Sequence, residues 1–154
     1  MEPPDTRNLA VTILGAIKNK STIPALIEAL KDADGDVRSS AIIALGKIKD
    51  ASAVPALIEA LKNEHSEIRA CAAWALGEID DTPTIPVLVE TLKDVDLYVR
   101  CRATEALGKI GGKSALEALT NVAKNDSDTD VRNTAKEAIN KIKSKTAPPT
   151  KKKR

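Results

Sequence analysis

Ile23-Pro24-Ala25-Leu26-Ile27-Glu28-Ala29-Leu30-Lys31 returns as Val54-Pro55-Ala56-Leu57-Ile58-Glu59-Ala60-Leu61-Lys62. It returns again as Ile85-Pro86-Val87-Leu88-Val89-Glu90-Thr91-Leu92-Lys93, so the step is 31 residues. Outward from this segment the register holds. Ala44-Leu45-Gly46, Ala75-Leu76-Gly77 and Ala106-Leu107-Gly108 share the step, and Gly15 extends their glycine column backwards. Arg7, Arg38, Arg69, Arg100 and Arg132 form a second column, with one inserted residue before the last. Ile17, Ile48, Ile79, Ile110 and Ile142 form a third. Self-similarity at a fixed step of this size marks stacked supersecondary units.

Each unit reads as two helices. The first starts with Pro24, Pro55 or Pro86 in its opening turn, where a missing N–H costs nothing. Its apolar residues (Ile23, Leu26, Ile27, Leu30) recur at helical spacing. A short turn follows, with Asp34, Asp96 and Asp128 at the N-cap position of the second helix. Asp36, Glu67 and Asp130 stand in its first turn, where an acidic side chain suits the helix dipole. The second helix is apolar at Val37, Ala41, Ala44, Leu45 and Ile48. Its small residues let a neighbouring helix come close. The pattern predicts first helices over 22–32, 53–63, 84–94 and 113–124, and second helices over 36–49, 67–79, 98–110 and 130–142.

No such pair buries its apolar faces alone, and stacking the pairs builds one continuous core. The predicted fold is all-α: a right-handed α-solenoid of antiparallel helix pairs spanning 1–142. A lone second-type helix over 5–18 caps one end. Repeats follow at about 22–49, 53–79, 84–110 and 113–142. The last carries Glu117 in place of Pro and Asn140 in place of Gly, with Lys136, Glu137 and Lys141 on its outer side, as a terminal repeat should.

Composition narrows the function. The 154 residues include one Trp, one Tyr, no Phe, two Cys and one His. That supply makes neither a four-ligand Cys/His zinc site nor a disulfide framework. The opening residues read as no signal peptide, and no apolar run reaches the ~18 residues of a membrane span. A cytoplasmic, monomeric chain with no membrane partner and no cofactor is expected. The net charge of +2 conceals a split: residues 143–154 hold six basic and no acidic residues, leaving 18 basic against 22 acidic in 1–142, a net of −4. The segment 143–154 has no apolar periodicity and reads as a disordered basic tail. It opens one alternative function, nucleic-acid association.

The pattern Pro-x-Leu-x-x-x-Leu, then Asp, then Val-Arg-x-x-Ala-x-x-Ala-Leu-Gly-x-Ile resembles HEAT-like repeats, in particular the short variety named after phycobilisome (bilin) lyases. The resemblance covers about 6–142. It implies a solenoid whose second helices line a concave surface. It also implies an acidic residue at the end of each first helix that bonds the Arg of the second, here Asp32–Arg38 and Asp94–Arg100, with Asn63 and Asn125 weakening the ladder before Arg69 and Arg132. A bilin-lyase-type enzyme or enzyme subunit handling a tetrapyrrole is a further alternative that the resemblance raises. Hydroxylases built from HEAT-like repeats use His-Glu pairs as iron ligands. This chain has no His-Glu dipeptide, so that activity is not carried over.

No residue set spells a catalytic constellation. Asp126, Asp128 and Asp130 open like a calcium loop, but Val131 stands where that loop needs Gly. One His in a turn, His65, supports no Ser/His/Asp or Cys/His arrangement. Cys71 and Cys101 lie on adjacent second helices, ~8–10 Å apart, beyond the ~7 Å Cα separation a disulfide tolerates. The informative positions are those of the second helix that point away from the core at about 100° per residue: 39, 40, 43, 47 and their column-mates. Among these, Leu9, Ser39, Ser40, Ile43, Cys71, Trp74, Arg102 and Glu105 are the candidate partner-binding residues, with Trp74 at the centre. The expected function is a non-enzymatic scaffold or adaptor that holds a protein or peptide on its concave face.

Overall fold

The computed structural model describes residues 2–146, and among them every regular element is helical. In chain order the helices are α1 (Pro4–Ile17), α2 (Ile23–Ala29), α3 (Gly35–Ile48), α4 (Val54–Ala60), α5 (Ser66–Ile79), α6 (Ile85–Thr91), α7 (Leu97–Ile110), α8 (Lys113–Asn125) and α9 (Thr129–Thr146). The second-type helices stack in the order α1, α3, α5, α7, α9. Each first-type helix packs on its own second helix: α2 on α3, α4 on α5, α6 on α7 and α8 on α9. This is an α-solenoid.

Three of the first helices, α2, α4 and α6, are shorter than the sequence pattern predicts, while α8 runs to Asn125. Leu30, Lys31 and Asp32 each donate their N–H three residues back, to Ile27, Glu28 and Ala29, and Lys62, Asn63, Lys93 and Asp94 repeat the arrangement. The last turn therefore tightens into 3-10 geometry, which satisfies carbonyls that an abrupt end would orphan. Single 3-10 turns also lead into α2, α4 and α6 at Lys20–Thr22, Ala51–Ala53 and Thr82–Thr84. At the other end, α9 continues through Lys143, Ser144, Lys145 and Thr146, so the expected disorder from residue 143 is corrected for these four positions. Lys145 Nζ donates to the carbonyl of Lys109, 3.0 Å away, at the end of α7, tying this extra turn to the solenoid. The rest of the expected tail, 147–154, lies outside the described residues.

The repeat columns make one core. Leu26, Leu57, Leu88 and Leu119 from the first helices and Leu45, Leu76 and Leu107 from the second are all fully buried. Close approach of the second helices depends on glycine. A Cβ on Gly77 would stand 2.7 Å from both Cα and Cβ of Ala106, and one on Gly15 would stand 2.6 Å from Cβ of Ala44. Any larger side chain would push adjacent repeats apart.

The arginine column closes the seams, in a register the sequence reading did not assign. Arg7 donates from Nε and Nη2 to the Asp32 carboxylate at 2.7 and 2.9 Å. Arg69 holds Asp94 in the same two-pronged way at 2.7 and 2.9 Å, and Arg100 holds Asp126 at 3.0 and 3.2 Å. Each bond therefore joins an arginine to the next repeat. The expected Asp32–Arg38 and Asp94–Arg100 side-chain pairs do not form. Nη1 of Arg38 donates to the backbone carbonyls of Asp32 and Ala33, and Nη1 of Arg100 to those of Asp94 and Val95. An arginine thus fastens its own turn with one nitrogen and its neighbour with the other two.

One joint lacks this fastening. The position that should receive Arg38 is Asn63, whose Oδ1 accepts the His65 N–H at 3.0 Å. Nε of Arg38 is buried without a hydrogen-bond partner. The final acidic position is Asp126 rather than Asn125, because of the inserted residue.

Candidate functional site

An opening lies across α3, α5 and α7, where the outward positions of three second helices meet. Ile43 and Lys47 come from α3. Ser66, Glu67, Ala70, Cys71 and Trp74 come from α5. Asp96, Tyr98 and Arg102 come from the start of α7. Together they enclose about 500 Å³. Trp74 is half-buried. One ring edge lies under Gly46, where an added Cβ would stand 2.9 Å from Cζ3. Packing therefore fixes the indole while the rest of the ring faces the cavity. A rigid aromatic beside open space is the arrangement that interface anchors use.

Tyr98 was not singled out by sequence reasoning, and it is the most exposed aromatic of the described chain, at 71%. A signal was present. Tyr98 occupies the first-turn column otherwise held by Asp36, Glu67 and Asp130, so a lone aromatic interrupts an acidic column. Its position is set by Asp96, which caps α7 by accepting the N–H of Tyr98 at 2.9 Å and of Val99 at 3.3 Å.

Four of the sequence-predicted residues meet at this cavity: Ile43, Cys71, Trp74 and Arg102. Glu105 does not line it but accepts from Arg102 Nη1 at 2.8 Å, which steadies the guanidinium at the rim. Ser40, with Ile43 again, lines an adjoining hollow of about 440 Å³ between α1 and α3. Ser39 lines a polar depression beside Arg38 and His65. Leu9 lines none of these and stands exposed on α1. Burial pushes the thiols of both Cys71 and Cys101 up from their ordinary value, and the Glu67 carboxylate adds to this at Cys71. Both cysteines are free thiols. A raised thiol pKa keeps the sulfur protonated and weakly nucleophilic near neutral pH, so Cys71 contributes apolar lining.

The carboxylates that invited a metal reading have other duties. Asp126 receives Arg100. Asp128 caps α9 through the N–H groups of Asp130 and Val131, at 2.8 and 3.3 Å. Among the described residues, no group of three His, Cys, Asp or Glu side chains is placed to hold a metal ion. No helix of the described chain is long and apolar enough to cross a membrane.

The family model for HEAT repeats matches residues 2–70 and 54–140, nearly the whole described chain. This chain belongs to the HEAT-repeat family. No curated protein matches it. Solved HEAT-type and related structures do. The chain is similar to the complex of CpcE and CpcF of phycocyanin lyase from Nostoc sp. PCC7120, at 25% identity and a TM-score of 0.80, over 94% of this chain and 62% of that one. It is similar to human deoxyhypusine hydroxylase in complex with glycerol, at 28% identity and a TM-score of 0.69, over 79% of this chain and 43% of that one. The HEAT chain thus spans less than two thirds of either neighbour's length. A designed armadillo repeat protein in complex with peptide (KR)4 shares the fold, at 21% identity and a TM-score of 0.67, over 92% of this chain and 77% of that one.

Proposed function

We propose that this HEAT-repeat chain is a non-enzymatic scaffold that holds a protein or peptide on the concave face formed by its second helices. The observation that carries the reading is the cavity between α3, α5 and α7, where Trp74 is fixed by packing and Tyr98 is exposed at the rim. Apolar lining with a charged rim of Lys47, Glu67, Asp96 and Arg102 suits a partner side chain that is buried at its body and steered by charge at its edge. The core columns stay constant from repeat to repeat while the outward columns vary. A solenoid changes partners by that route without disturbing its stack.

Affinity capture from the native cell identifies the partner, and binding by the variants locates it. Tyr98→Ala removes an exposed ring and should leave the fold intact. Trp74→Ala removes the anchor. Each should weaken binding by about thirty-fold or more if these rings act as hot spots. A folded Trp74→Ala protein that binds its partner with undiminished affinity would remove the reading.

A second reading rests on one observation, the similarity to phycocyanin lyase over 94% of this chain. In that reading the same cavity takes a tetrapyrrole. Visible absorbance that copurifies with the protein, and is lost in Trp74→Ala, would favour it over the scaffold.

A further inference from the structure

The two ends of the stack differ in chemistry. In α3 the residues Val37, Ala41 and Ala44 are buried, and Ile48 packs against the core. This stripe takes the preceding helices, with Ala44 seated on Gly15. One repeat earlier, the same columns in α1 read Thr6, Ala10, Ile13 and Ile17, joined by Leu9. At about 100° per residue these five positions share one side of the helix. The opposite side of α1, through Val11 and Gly15, is buried against α3. The shared side is open: Leu9 is 60% exposed, Ile13 51% and Ile17 58%. Three large aliphatics at i, i+4 and i+8 on one exposed helix face form a contiguous apolar patch.

The shape of this face says what covers it. It repeats the stripe that seats a helix at every internal joint, so its occupant is another helix. The far end of the stack does not fit. The stripe of α9 that would meet a following repeat carries Lys136 and Asn140, where α7 has Thr104 and Gly108. Head-to-tail stacking of copies would press Asn140, in the glycine column, onto Ile13, in the column of Ala44, and bury Lys136 one turn away. Two α1 helices, by contrast, complement each other when antiparallel. The start of α1 bears Glu2 and Asp5, and its end is followed by Lys18 and Lys20. Lys20 pairs with Asp50, and among the described residues Asp5 and Lys18 form no ion pair. An axis through Ile13 sets Leu9 of one copy on Ile17 of the other. It also brings each acidic end beside a basic end and opposes the helix dipoles.

We propose that the chain self-associates as a two-fold dimer through α1, with Leu9, Ile13 and Ile17 at the interface. This departs from the monomer expected from sequence. A two-fold contact closes on itself, and it leaves the cavity around Trp74 open on both copies.

Sedimentation velocity on the full 154-residue chain, from micromolar to several hundred micromolar, tests this. The expected result is a concentration-dependent rise from the 16.4 kDa chain to twice that mass and no further. Ile13→Asp, at an exposed position, should keep its helical circular dichroism and weaken association by about thirty-fold or more, because the change appears on both sides of the axis. Asp5→Lys and Lys18→Glu should each weaken it, and the double exchange should restore it. A chain that stays monomeric throughout would overturn the proposal. So would species growing beyond the dimer, undiminished association by folded Ile13→Asp, or a double exchange that fails to rescue.

Discussion

The turn between α4 and α5 reads Asn63-Glu64-His65, and the turn between α6 and α7 reads Asp94-Val95-Asp96. The second arrangement binds in three directions. Asp94 accepts Arg69 from the preceding repeat and the N–H of Asp96, while Asp96 caps α7. In the first, the Asn63 side chain forms the turn through the N–H of His65 but takes no arginine, and His65 makes no side-chain cap for α5. Asp94 Oδ1 serves both the turn and Arg69 Nη2 while Oδ2 takes Nε, whereas the amide of Asn63 carries no charge and has an NH2, a donor, in place of the second oxygen. Apolar packing across the two joints is nonetheless alike, since Gly46 lies against Ala75 as Gly77 lies against Ala106. Stacking and polar fastening are therefore separable features of the same repeat.

The largest effects should fall on what the two joints share. Leu45→Ala and Leu76→Ala each empty a fully buried site and should cost ~2–5 kcal/mol in denaturant unfolding, with little difference between them. A large difference would show that the joints are not packed alike. Next comes the loss of a rung. Asp94→Asn copies the weaker turn into the stronger one and should cost ~1–3 kcal/mol, since the Arg69 fork loses its charged acceptor. The reverse change, Asn63→Asp, offers the unpartnered Nε of Arg38 a carboxylate and should gain ~1 kcal/mol. His65→Asp should add about the same through the missing cap.

The smallest effect concerns acid. The Arg7 guanidinium and the N–H of Asp34 hold the Asp32 carboxyl down to about 2, from an ordinary value of 3.8. Arg69 lowers Asp94 as well. A carboxylate more acidic in the folded state stabilises the fold fully above its unfolded value and loses that contribution as pH falls through the folded one. Melting temperature should therefore decline from about pH 4 towards pH 2. The decline should be shallower in Asp94→Asn, which has one fewer carboxylate to protonate.

The stack was legible because its cause is periodic. Leu26, Leu57 and Leu88 recur at the step of the repeat, and burial follows from recurrence. The ladder was not: the HEAT resemblance implied that the acid ending a first helix bonds the arginine of its own second helix, which placed Asp32 with Arg38. The fork instead reaches the next repeat, as Arg7 reaches Asp32 and Arg69 reaches Asp94, each 25 residues on. Helix offset decides that choice, and offset is a property of packing. Trp74, Ile43, Cys71 and Arg102 could be brought together by helical angles alone. Tyr98 could not, because it enters from the first turn of α7, a position that reads as a cap.

Trp74 is the only tryptophan of the chain, so its emission reports on one place, the cavity between α3, α5 and α7. Acrylamide quenching of this emission, measured with and without the captured partner, tests the central claim. The half-buried ring should be quenchable in the free protein, and partner binding should shield it and shift its emission. A partner that saturates the protein while Trp74 keeps both its emission maximum and its quenching would place the binding surface elsewhere.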